Sequence, residues 1–445
     1  MTKAKAGMRA RPRHGSHGSR SRSHRHALLA TWAAASLAAL AILAAGPTAA
    51  VAASAAAPGV SPTSIEVGLP YLDLAALKSV GLNIDQGSYP EAFGALIANL
   101  NAHGGINGRK IVLSLASVNP TSTASSASAC TQLTQDDKAF VVFGPLYPLC
   151  YQQAGVATIN GTMGGTLSPG AAPNFTLTPP AAAFDPLQIA VFAEQGVFKG
   201  KKVGVIGASV DQAEMPIVLT SLKKQHVDVV QSGVDSAPQN DTAASDQQIQ
   251  VIAQRFKTEG VNVVVGVGTG ASAWLIGLNG TQSTYAPRVV ATSYSDFAGT
   301  VSAKGGDDPM YLRGALTATP IPSQEVFWKD PAVQNCVRII KKAYPSTVIG
   351  NPIGAPANAP TTWVAAENTC QDMAIFTAIA KAAGKNLTER TFEQAGYGLR
   401  NVSIPGMGAP ISFGPGRPYA LGPVYLVTYD PASQQLVIAN KPAHR

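Results

Sequence analysis

The segment from Pro90 to Ala116 constrains the fold of this chain more than any other stretch. Apolar residues recur in its first half at the spacing i, i+3, i+4 and i+7, which is typical of a helix with one buried face. Gly104-Gly105 follows, and glycine readily ends a helix because it adopts the left-handed conformation without a side-chain clash. Asn107-Gly108 predicts a tight reversal, and the apolar run Ile111–Leu115 predicts a strand. The segment is therefore predicted to form a helix, a turn and a strand.

Short apolar runs alternate with amphipathic stretches along most of the chain. Strands are predicted at Ile65–Leu69, Ile111–Leu115, Phe140–Phe143, Val203–Ile206, Val227–Val230, Val261–Val265, Val289–Ala291, Val424–Tyr429 and Gln435–Ile438. Helices are predicted at 90–102, 122–134, 185–196, 211–225, 245–258, 271–279, 323–343 and 362–383. Buried strands separated by helices indicate parallel sheets with covered faces. The alternation breaks at the Pro-rich segment 175–180 and resumes, so we expect an α/β fold with two doubly wound parallel-sheet lobes joined by several crossovers.

The basic excess of the chain is confined to its first residues. The formal net charge is +8, but eight of the 33 basic residues and none of the acidic ones precede residue 53. The remaining 25 basic residues balance 25 acidic ones, so a polyanion-binding surface is not indicated. Residues 1–52 run from a basic stretch through the apolar run 27–45 to small residues, which is the order of a secretory signal peptide. An uncleaved anchor is the alternative, and residues 53–63 are predicted to be a linker.

Four cysteines lie in the part predicted to be exported. An even number in an oxidising compartment indicates two disulfides, and proximity in sequence favours Cys130–Cys150 and Cys336–Cys370. A zinc site is the alternative, but no CxxC spacing occurs and only His103, His226 and His444 lie outside the leader. No metal is therefore predicted, and no lipid-anchoring cysteine follows the apolar run of the leader.

The motifs of enzymes are scarce in this sequence. It contains no HExxH, no GxSxG and no phosphate-binding P-loop, and histidine, the commonest general base, is rare. The exception is the GxGxxA pattern at 266–271, which follows a predicted strand and opens a helix as dinucleotide-binding loops do, with Asp296 as the acid downstream. The pattern does not fall in the first strand-helix unit of its lobe, so a dinucleotide-dependent enzyme is the weaker hypothesis. We predict no cofactor.

Four segments carry a resemblance to a known family. They read NAHGGINGRKI, FTLTPPAAAFDPLQIA, KGKKVGVIGASVDQAEMPIVLTSLKKQHVDVV and GPGRPYALGPVYLVTYDPASQQ, in this order along the chain. Together they resemble the extracytoplasmic receptors of the branched-chain amino-acid (Leu/Ile/Val-binding) type, the type I periplasmic binding proteins that serve ABC importers. The resemblance implies residues 64–177 and 306–410 in the first lobe, and 178–305 and 411–440 in the second.

The expected ligand site lies where strands end, because ligands of open α/β sheets bind beyond the carboxyl ends of the strands. Tyr71, Gln212 and Thr269 lie in such loops. In the family, first-lobe hydroxyls and backbone amides bind the ligand's carboxylate, and a second-lobe acid binds its ammonium group. The resemblance thus implies Thr162 for the first role and Asp296 for the second. It also implies three apolar walls, which are Tyr147, Phe184 and Tyr294.

Departures from the family pattern limit what can be said of the ligand. The loop 144–150 lacks the Ser or Thr that is usual in relatives, and Asn119 replaces a usual acid. A buried carboxylate needs several donors, so these departures weaken the case for a free amino acid and favour a less polar solute. The predicted ligand is an amino acid, an amide or a less polar solute. The resemblance implies a monomeric, non-catalytic receptor that delivers its ligand to an ABC permease and binds no nucleic acid. A ligand-sensing domain without transport is the alternative.

Overall fold

The computed structural model describes residues 57–79, 84–144, 148–161, 170–238, 241–277, 285–302, 312–355, 359–432 and 435–438. The predicted leader, residues 1–52, lies outside this range. Across the described residues, no helix is both long enough and apolar enough to cross the hydrocarbon core of a bilayer.

Fourteen described strands form two seven-stranded sheets. The first sheet has the order β11-β12-β5-β4-β3-β1-β2. Its strands are β1 (Ser64–Leu72), β2 (Lys110–Val118), β3 (Val141–Phe143), β4 (Ala157–Asn160), β5 (Asn174–Thr176), β11 (Ser412–Gly414) and β12 (Arg417–Leu421). The second has the order β14-β13-β10-β9-β8-β6-β7. Its strands are β6 (Lys202–Ala208), β7 (Asp228–Asp235), β8 (Val263–Gly266), β9 (Arg288–Ala291), β10 (Leu316–Thr319), β13 (Tyr425–Asp430) and β14 (Gln435–Ile438).

Parallel pairing dominates both sheets, and antiparallel pairs occur only toward one edge of each among the described strands. β1 and β2 pair in parallel over their whole length, from Ser64 opposite Lys110 to Leu72 opposite Val118. The expected α/β fold with two parallel-sheet lobes is confirmed. We call each sheet with the helices packed on it the first or the second lobe.

Helices cover both sheets. In the first lobe they are α1 (Leu74–Ser79), α2 (Tyr89–Ala102), α3 (Thr123–Thr131), α4 (Pro148–Gln153), α10 (Gln324–Lys329), α11 (Pro331–Ala343), α12 (Val364–Ala383) and α13 (Glu389–Gly398). In the second lobe they are α5 (Ala181–Glu194), α6 (Met215–Lys224), α7 (Thr242–Glu259), α8 (Gly270–Gly277) and α9 (Tyr294–Ser302). A π-helical turn at Gln132–Asp136 extends α3, and a 3-10 turn at Ser209–Asp211 follows β6.

The helix-turn-strand segment forms as its sequence predicts. Ser88 caps α2 by accepting a hydrogen bond from the Glu91 amide, and the apolar face of the helix is buried. Gly105, at φ +67°, ends the turn where a Cβ atom would lie 1.9 Å from the Arg109 carbonyl oxygen, so only glycine fits. The Asn101 side chain then joins the helix to β2, because it donates to and accepts from the backbone of Ile111 at 2.8 Å each way.

Within the described residues, the chain passes between the lobes three times, at 177–180, 319–323 and 421–425. The first crossover lies at the predicted break in the alternation.

The strand pairing differs from the predicted division of the chain into lobes at the other two crossovers. β10 pairs with β9 and β13 in the second sheet, whereas 306–410 was assigned to the first lobe. β11 and β12 join the first sheet beside β5, although 411–440 was assigned to the second. These strands have three to five residues each, too few for a periodic signal.

Aromatic packing holds the first lobe together. Phe175 meets Phe392 and Phe413 edge-on at centroid distances of 6.0 and 5.6 Å, and Phe143 meets Phe376 in the same way at 5.4 Å. Since Phe143 ends β3 and Phe175 lies in β5, this core fixes the strand ends from which the site loops begin. The second sheet is covered by one apolar cluster on α5 and α6 and another on α7, α8 and α9.

Both predicted disulfides are present. Cys130–Cys150 joins α3 to α4, which follows the loop after β3, and Cys336–Cys370 joins α11 to α12. The Cα atoms are 6.4 and 6.1 Å apart. The cross-links span 20 and 34 residues, so each restricts the unfolded chain.

Replacing either pair by alanine is expected to lower the free energy of unfolding. In the chain-entropy account, the loss is about 3 kcal/mol for Cys130/Cys150 and about 4 kcal/mol for Cys336/Cys370. Guanidinium unfolding of the wild type with and without reductant is the matched comparison, because reduction removes the cross-link but keeps the side chain. Peptide mapping without reductant checks the pairing, and a Cys130–Cys336 peptide would contradict it.

Candidate functional site

Five of the predicted site residues that the structure describes lie at or just after the carboxyl ends of strands, namely Tyr71, Gln212, Thr269, Tyr294 and Asp296. Tyr147 and Thr162 lie outside the described residues. Phe184 is 7% exposed and packs into the second-lobe core, which gives it a structural place. Gln212 is exposed beside the turn that follows β6. The other four residues lie in three places: Tyr71 in β1, Thr269 after β8, and Tyr294 and Asp296 in the first turn of α9.

Tyr71 lines a cavity of about 570 Å³ in the first lobe. The cavity lies at the carboxyl ends of β1 and β2, against the first turn of α2. Asp73, Asp85 and Glu91 contribute three carboxylates to its wall. Each of them has a hydrogen-bond partner, because Asp73 accepts from the Ala76 amide, Asp85 from the Gly87 amide and Glu91 from the Thr347 hydroxyl. The cavity is polar and acidic at its rim, and its size lies within the usual range for small-molecule pockets.

Thr269 is tied to Asp211 across the carboxyl ends of β6 and β8. The Thr269 hydroxyl donates to Asp211 Oδ2 at 2.8 Å, and its amide donates to Oδ1 at 3.3 Å. The Ala208 amide donates to the same carboxylate at 2.9 Å. Within the GxGxxA loop, the Thr269 amide therefore already donates to a carboxylate, while the Gly268 amide donates to Thr292 Oγ1 and the Gly270 amide to the Val267 carbonyl oxygen. A dinucleotide pyrophosphate would bring further negative charge to that place, which argues against the dinucleotide hypothesis.

Asp296 helps to cap a helix. Ser293 Oγ donates to Asp296 Oδ2 at 2.5 Å, and the Asp296 amide donates to Ser293 Oγ at 3.3 Å. This reciprocal pair at the start of α9 is a helix-capping arrangement, in which the acid sits three residues after the cap. The implied ammonium-binding role of Asp296 therefore competes with a local structural one.

Tyr294, which is 42% exposed, lines a cavity between the lobes. This cavity of about 370 Å³ is bounded by Tyr294 and β10 of the second lobe, by the crossover 319–323, and by α10 and α12 of the first lobe. Glu367 of α12 lies in its wall and accepts a hydrogen bond from the Gln324 amide. Burial raises the pKa of Glu367 to about 8, against the lowering effect of the Gln324 bond.

Helix α12 also supports the first-lobe loop after β4. The Gly161 amide donates to Asp372 Oδ1 at 2.6 Å, and a Cβ atom at Gly161 would lie 3.1 Å from that oxygen and from Gln371 Oε1. Burial raises the pKa of Asp372 to about 8, and the Gly161 bond opposes the shift. The loop that follows Gly161 contains Thr162, the residue predicted to bind the ligand's carboxylate. The hydrogen bond to the buried Asp372 therefore fixes the start of this loop.

Asp185 is the acid that the sequence reasoning missed. It lies in the second turn of α5, is 1% exposed, and neither carboxyl oxygen has a hydrogen-bond partner. Burial, together with the charges of Glu214 and Asp211, raises its pKa to about 8. A signal was available, because Asp185 and Gln188 are polar residues three apart in the apolar run AAAFDPLQIAVFA. Such a pair belongs on one helix face, and a buried one needs partners.

The free energy of unfolding of the ligand-free protein is expected to fall as pH rises from about 5 to about 8. Asp185, Glu367 and Asp372 have ordinary pKa values of 3.8 or 4.5 and folded values of about 8. Between these values the folded chain keeps a proton that the unfolded chain has lost. Each carboxyl then costs about 1 kcal/mol per pH unit, and the loss levels off above pH 8.

Denaturant unfolding at a series of pH values measures this slope. Asp185→Asn mimics the protonated carboxyl and should flatten the slope by the share of one group. Asp228→Asn is the matched control, since Asp228 is exposed at the amino end of β7. Equal slopes in the wild type and Asp185→Asn would show that Asp185 titrates normally.

Comparison with known proteins places this geometry in context. The profile of the family described as "Periplasmic binding protein" matches residues 84–435. No curated protein sequence gives a significant match.

Solved structures that resemble the chain share its fold at low identity. A fatty acid ABC transporter substrate-binding protein from Thermomonospora curvata is 15% identical with a TM-score of 0.53, covering 88% of this chain and 95% of that one. The substrate-binding protein LivJ from Streptococcus pneumoniae, in complex with isoleucine, is 15% identical with a TM-score of 0.52, at 86% and 100% coverage. A solute-binding protein from R. palustris, in complex with 4-hydroxybenzoate, is 14% identical with a TM-score of 0.51, at 86% and 96% coverage.

Proposed function

Because the chain belongs to the periplasmic binding protein family, we propose that it is an extracytoplasmic solute receptor of an ABC importer. In this proposal it binds a small molecule between its two lobes by hinge closure and leaves it chemically unchanged. The leader, residues 1–52, exports the protein, and an ABC permease is the membrane partner.

The observation that carries this proposal is the pair of parallel sheets joined by three crossovers. Parallel strands end at the same edge of a sheet, so each lobe has one edge rich in loops and free amides. Three short crossovers allow the lobes to move as rigid bodies about one hinge, and such closure encloses a ligand at the lobe interface. Residues of both lobes line the cavity beside the crossover 319–323.

The ligands named for similar structures support a small molecule as the ligand of this receptor, and they belong to different chemical classes. Isoleucine and 4-hydroxybenzoate are small molecules with an apolar body, and a fatty acid is a longer one. The receptor here is proposed to accept an amino acid, an amide or a less polar solute. Tyr71, Tyr147, Thr162, Gln212, Thr269, Tyr294 and Asp296 remain the proposed wall and contact residues, together with the cavity lined by Glu367.

A ligand of this receptor is expected to stabilise the leader-free protein, residues 53–445, and to compact it. Binding to the folded state alone adds about 2.7 kcal/mol at 100 times the dissociation constant. Thermal-shift screening of amino acids, amides, aromatic acids and fatty acids identifies candidates, and small-angle scattering measures the radius of gyration with each.

Solutes that leave the melting temperature unchanged serve as the matched control and should leave the radius of gyration unchanged as well. Turnover of a bound solute, or no stabilising solute in any of these classes, would contradict the proposal. Faster ATP hydrolysis by the cognate permease complex in vesicles, when the liganded protein is added, would separate transport from sensing.

A further inference from the structure

The first lobe has another cavity, at the edge of its sheet opposite to the carboxyl ends of the strands. The cavity has a volume of about 570 Å³. It is lined by Ala157 and Asn174, which begin β4 and β5, and by Gly416 and Pro418 at the start of β12. These strands pair in parallel, so their amino ends share one edge of the sheet. Among the described residues, none lines both this cavity and either of the two cavities described above.

One wall of this cavity is the end of α4, which is held in place by a cross-link and a backbone hydrogen bond. The disulfide Cys130–Cys150 attaches α4 to α3, and Gln152 follows two residues later in the same helix. The Ala172 amide donates to the Gln152 carbonyl oxygen at 3.1 Å, which joins α4 to the segment before β5. The position of Gln152 beside the cavity is therefore fixed by the fold.

Two buried amide side chains at this cavity each have a polar atom without a partner. Gln152 and Asn174 both line the cavity, and each is 3% exposed. Among the described residues, Gln152 Oε1 has no donor and Asn174 Nδ2 has no acceptor. The Thr158 hydroxyl donates to Asn174 Oδ1 at 2.9 Å, and reversing this amide would only exchange its unpartnered atom. Since buried polar groups nearly always have partners, the pair indicates a ligand that offers both a donor and an acceptor.

The facing wall of the cavity is one side of α13. Glu389, Glu393 and Tyr397 follow one another at a spacing of four residues, so they lie on the same helix face, and all three line the cavity. Burial and the Glu393 carboxylate raise the pKa of Tyr397 to about 12, so its hydroxyl keeps its proton and donates to Glu393. Gly396 allows α13 to approach β5 closely, because a Cβ atom there would lie 2.2 Å from Phe175 Cζ.

Charge excludes an anion from this cavity. Within the described part of the chain, no lysine or arginine lines it. The two nearest guanidinium groups have other contacts, because Arg400 donates to the carbonyl oxygens of Tyr397 and Leu399, and Arg417 stacks on the Tyr419 ring at 5.7 Å. An anion would therefore meet two carboxylates and no counter-charge.

A cation is also disfavoured, because the buried end of the cavity is neutral. Gln152 and Asn174 are amides, and amides do not offset the cost of removing a charge from water. The Glu389 carboxylate is exposed and Glu393 is half-buried, so solvent and salt screen their attraction for a cation. Among the described residues, no cluster of three metal-ligating side chains that could hold an ion is present. The favoured ligand is neutral and rich in hydrogen-bond donors.

We propose that this cavity is a second binding site, separate from the cleft between the lobes, and that it binds a neutral polyhydroxylated solute, a sugar. A hydroxyl group both donates and accepts, so one hydroxyl satisfies Gln152 Oε1 and Asn174 Nδ2 together. Further hydroxyls donate to the carboxylates of Glu389 and Glu393. The rest of the lining is glycine, alanine and proline from 155–157, 170–173 and 416–418, which leaves room for a sugar ring. The volume lies within the usual range for small-molecule sites.

Isothermal calorimetry on the leader-free protein tests this proposal. The probes are the disaccharides maltose, trehalose, lactose and chitobiose, with malonamide as a neutral amide and spermidine as a cation. We expect at least one disaccharide to bind saturably and more tightly than malonamide or spermidine. Dextran, added in the same assay, distinguishes a glycan chain from a free sugar as the source of the hydroxyl groups.

Three variants locate the site. Glu393→Gln removes a charged acceptor and should weaken sugar binding by tenfold or more. Gln152→Met removes a neutral acceptor and should weaken it by about two- to tenfold, and it should fold well because that acceptor has no donor in the protein. Ala171→Trp fills the cavity and should abolish binding. Glu259→Gln is the matched control, since Glu259 is exposed at the end of α7 in the other lobe and should bind sugar like the wild type.

Small-angle scattering separates this site from the proposed receptor cleft. A sugar bound within one lobe should leave the radius of gyration unchanged, whereas a solute of the cleft should reduce it. Three results would overturn the second site: no binding of any sugar, equal sugar binding by the wild type, Glu393→Gln and Ala171→Trp, or compaction of the protein by the sugar. None of them would contradict the receptor function, which depends on the solutes that close the lobes.

Discussion

The central strands of both sheets are buried on both faces, and this constraint determines where the protein can bind anything. β3, β6 and β8 consist almost wholly of buried residues under helices. A ligand has no access to such a sheet face, so polar chemistry is confined to the strand ends and to the helices that begin or pass there. In the proposed function, the ends of two different sheets, which the three crossovers join, serve the same molecule.

Buried acids stand at these ends in both lobes, but their partners differ. Asp372 of the first lobe accepts a bond from the Gly161 amide, and Glu367 accepts one from Gln324. Asp185 of the second lobe has no partner and faces further negative charge. A carboxyl in such a place is stable only as the protonated acid or beside a cation from outside the chain. In the ligand-free protein, Asp185 is therefore expected to keep its proton below about pH 8.

Long periodic segments were predictable from sequence because each carries its own evidence. The helix α2, its glycine stop and β2 follow from apolar spacing and turn chemistry within one continuous stretch. The pairing of four cysteines followed from their distances along the chain. β4, β5 and β10 were missed, since each has three or four residues and includes buried polar ones such as Asn174 and Thr317. These segments form strands because neighbouring strands pair with them and because of contacts such as Thr158 Oγ1 to Asn174 Oδ1. Neither the pairing nor the contact can be predicted from the local sequence pattern.

The sequence alone determined the α/β class, the two-lobed plan and the cysteine pairs, because all three depend on composition and on spacing along the chain. Only the tertiary structure decided what the strand-end residues do. Asp296 looked like a binding acid and is engaged with Ser293 in a helix cap, whereas Asp185, the first residue of a predicted helix, is an unpartnered carboxyl inside α5. The reason is that a polar side chain takes its role from the donors and charges around it. Those neighbours come from distant segments, since Thr292 is 104 residues from Gln188 and Gly161 is 211 residues from Asp372.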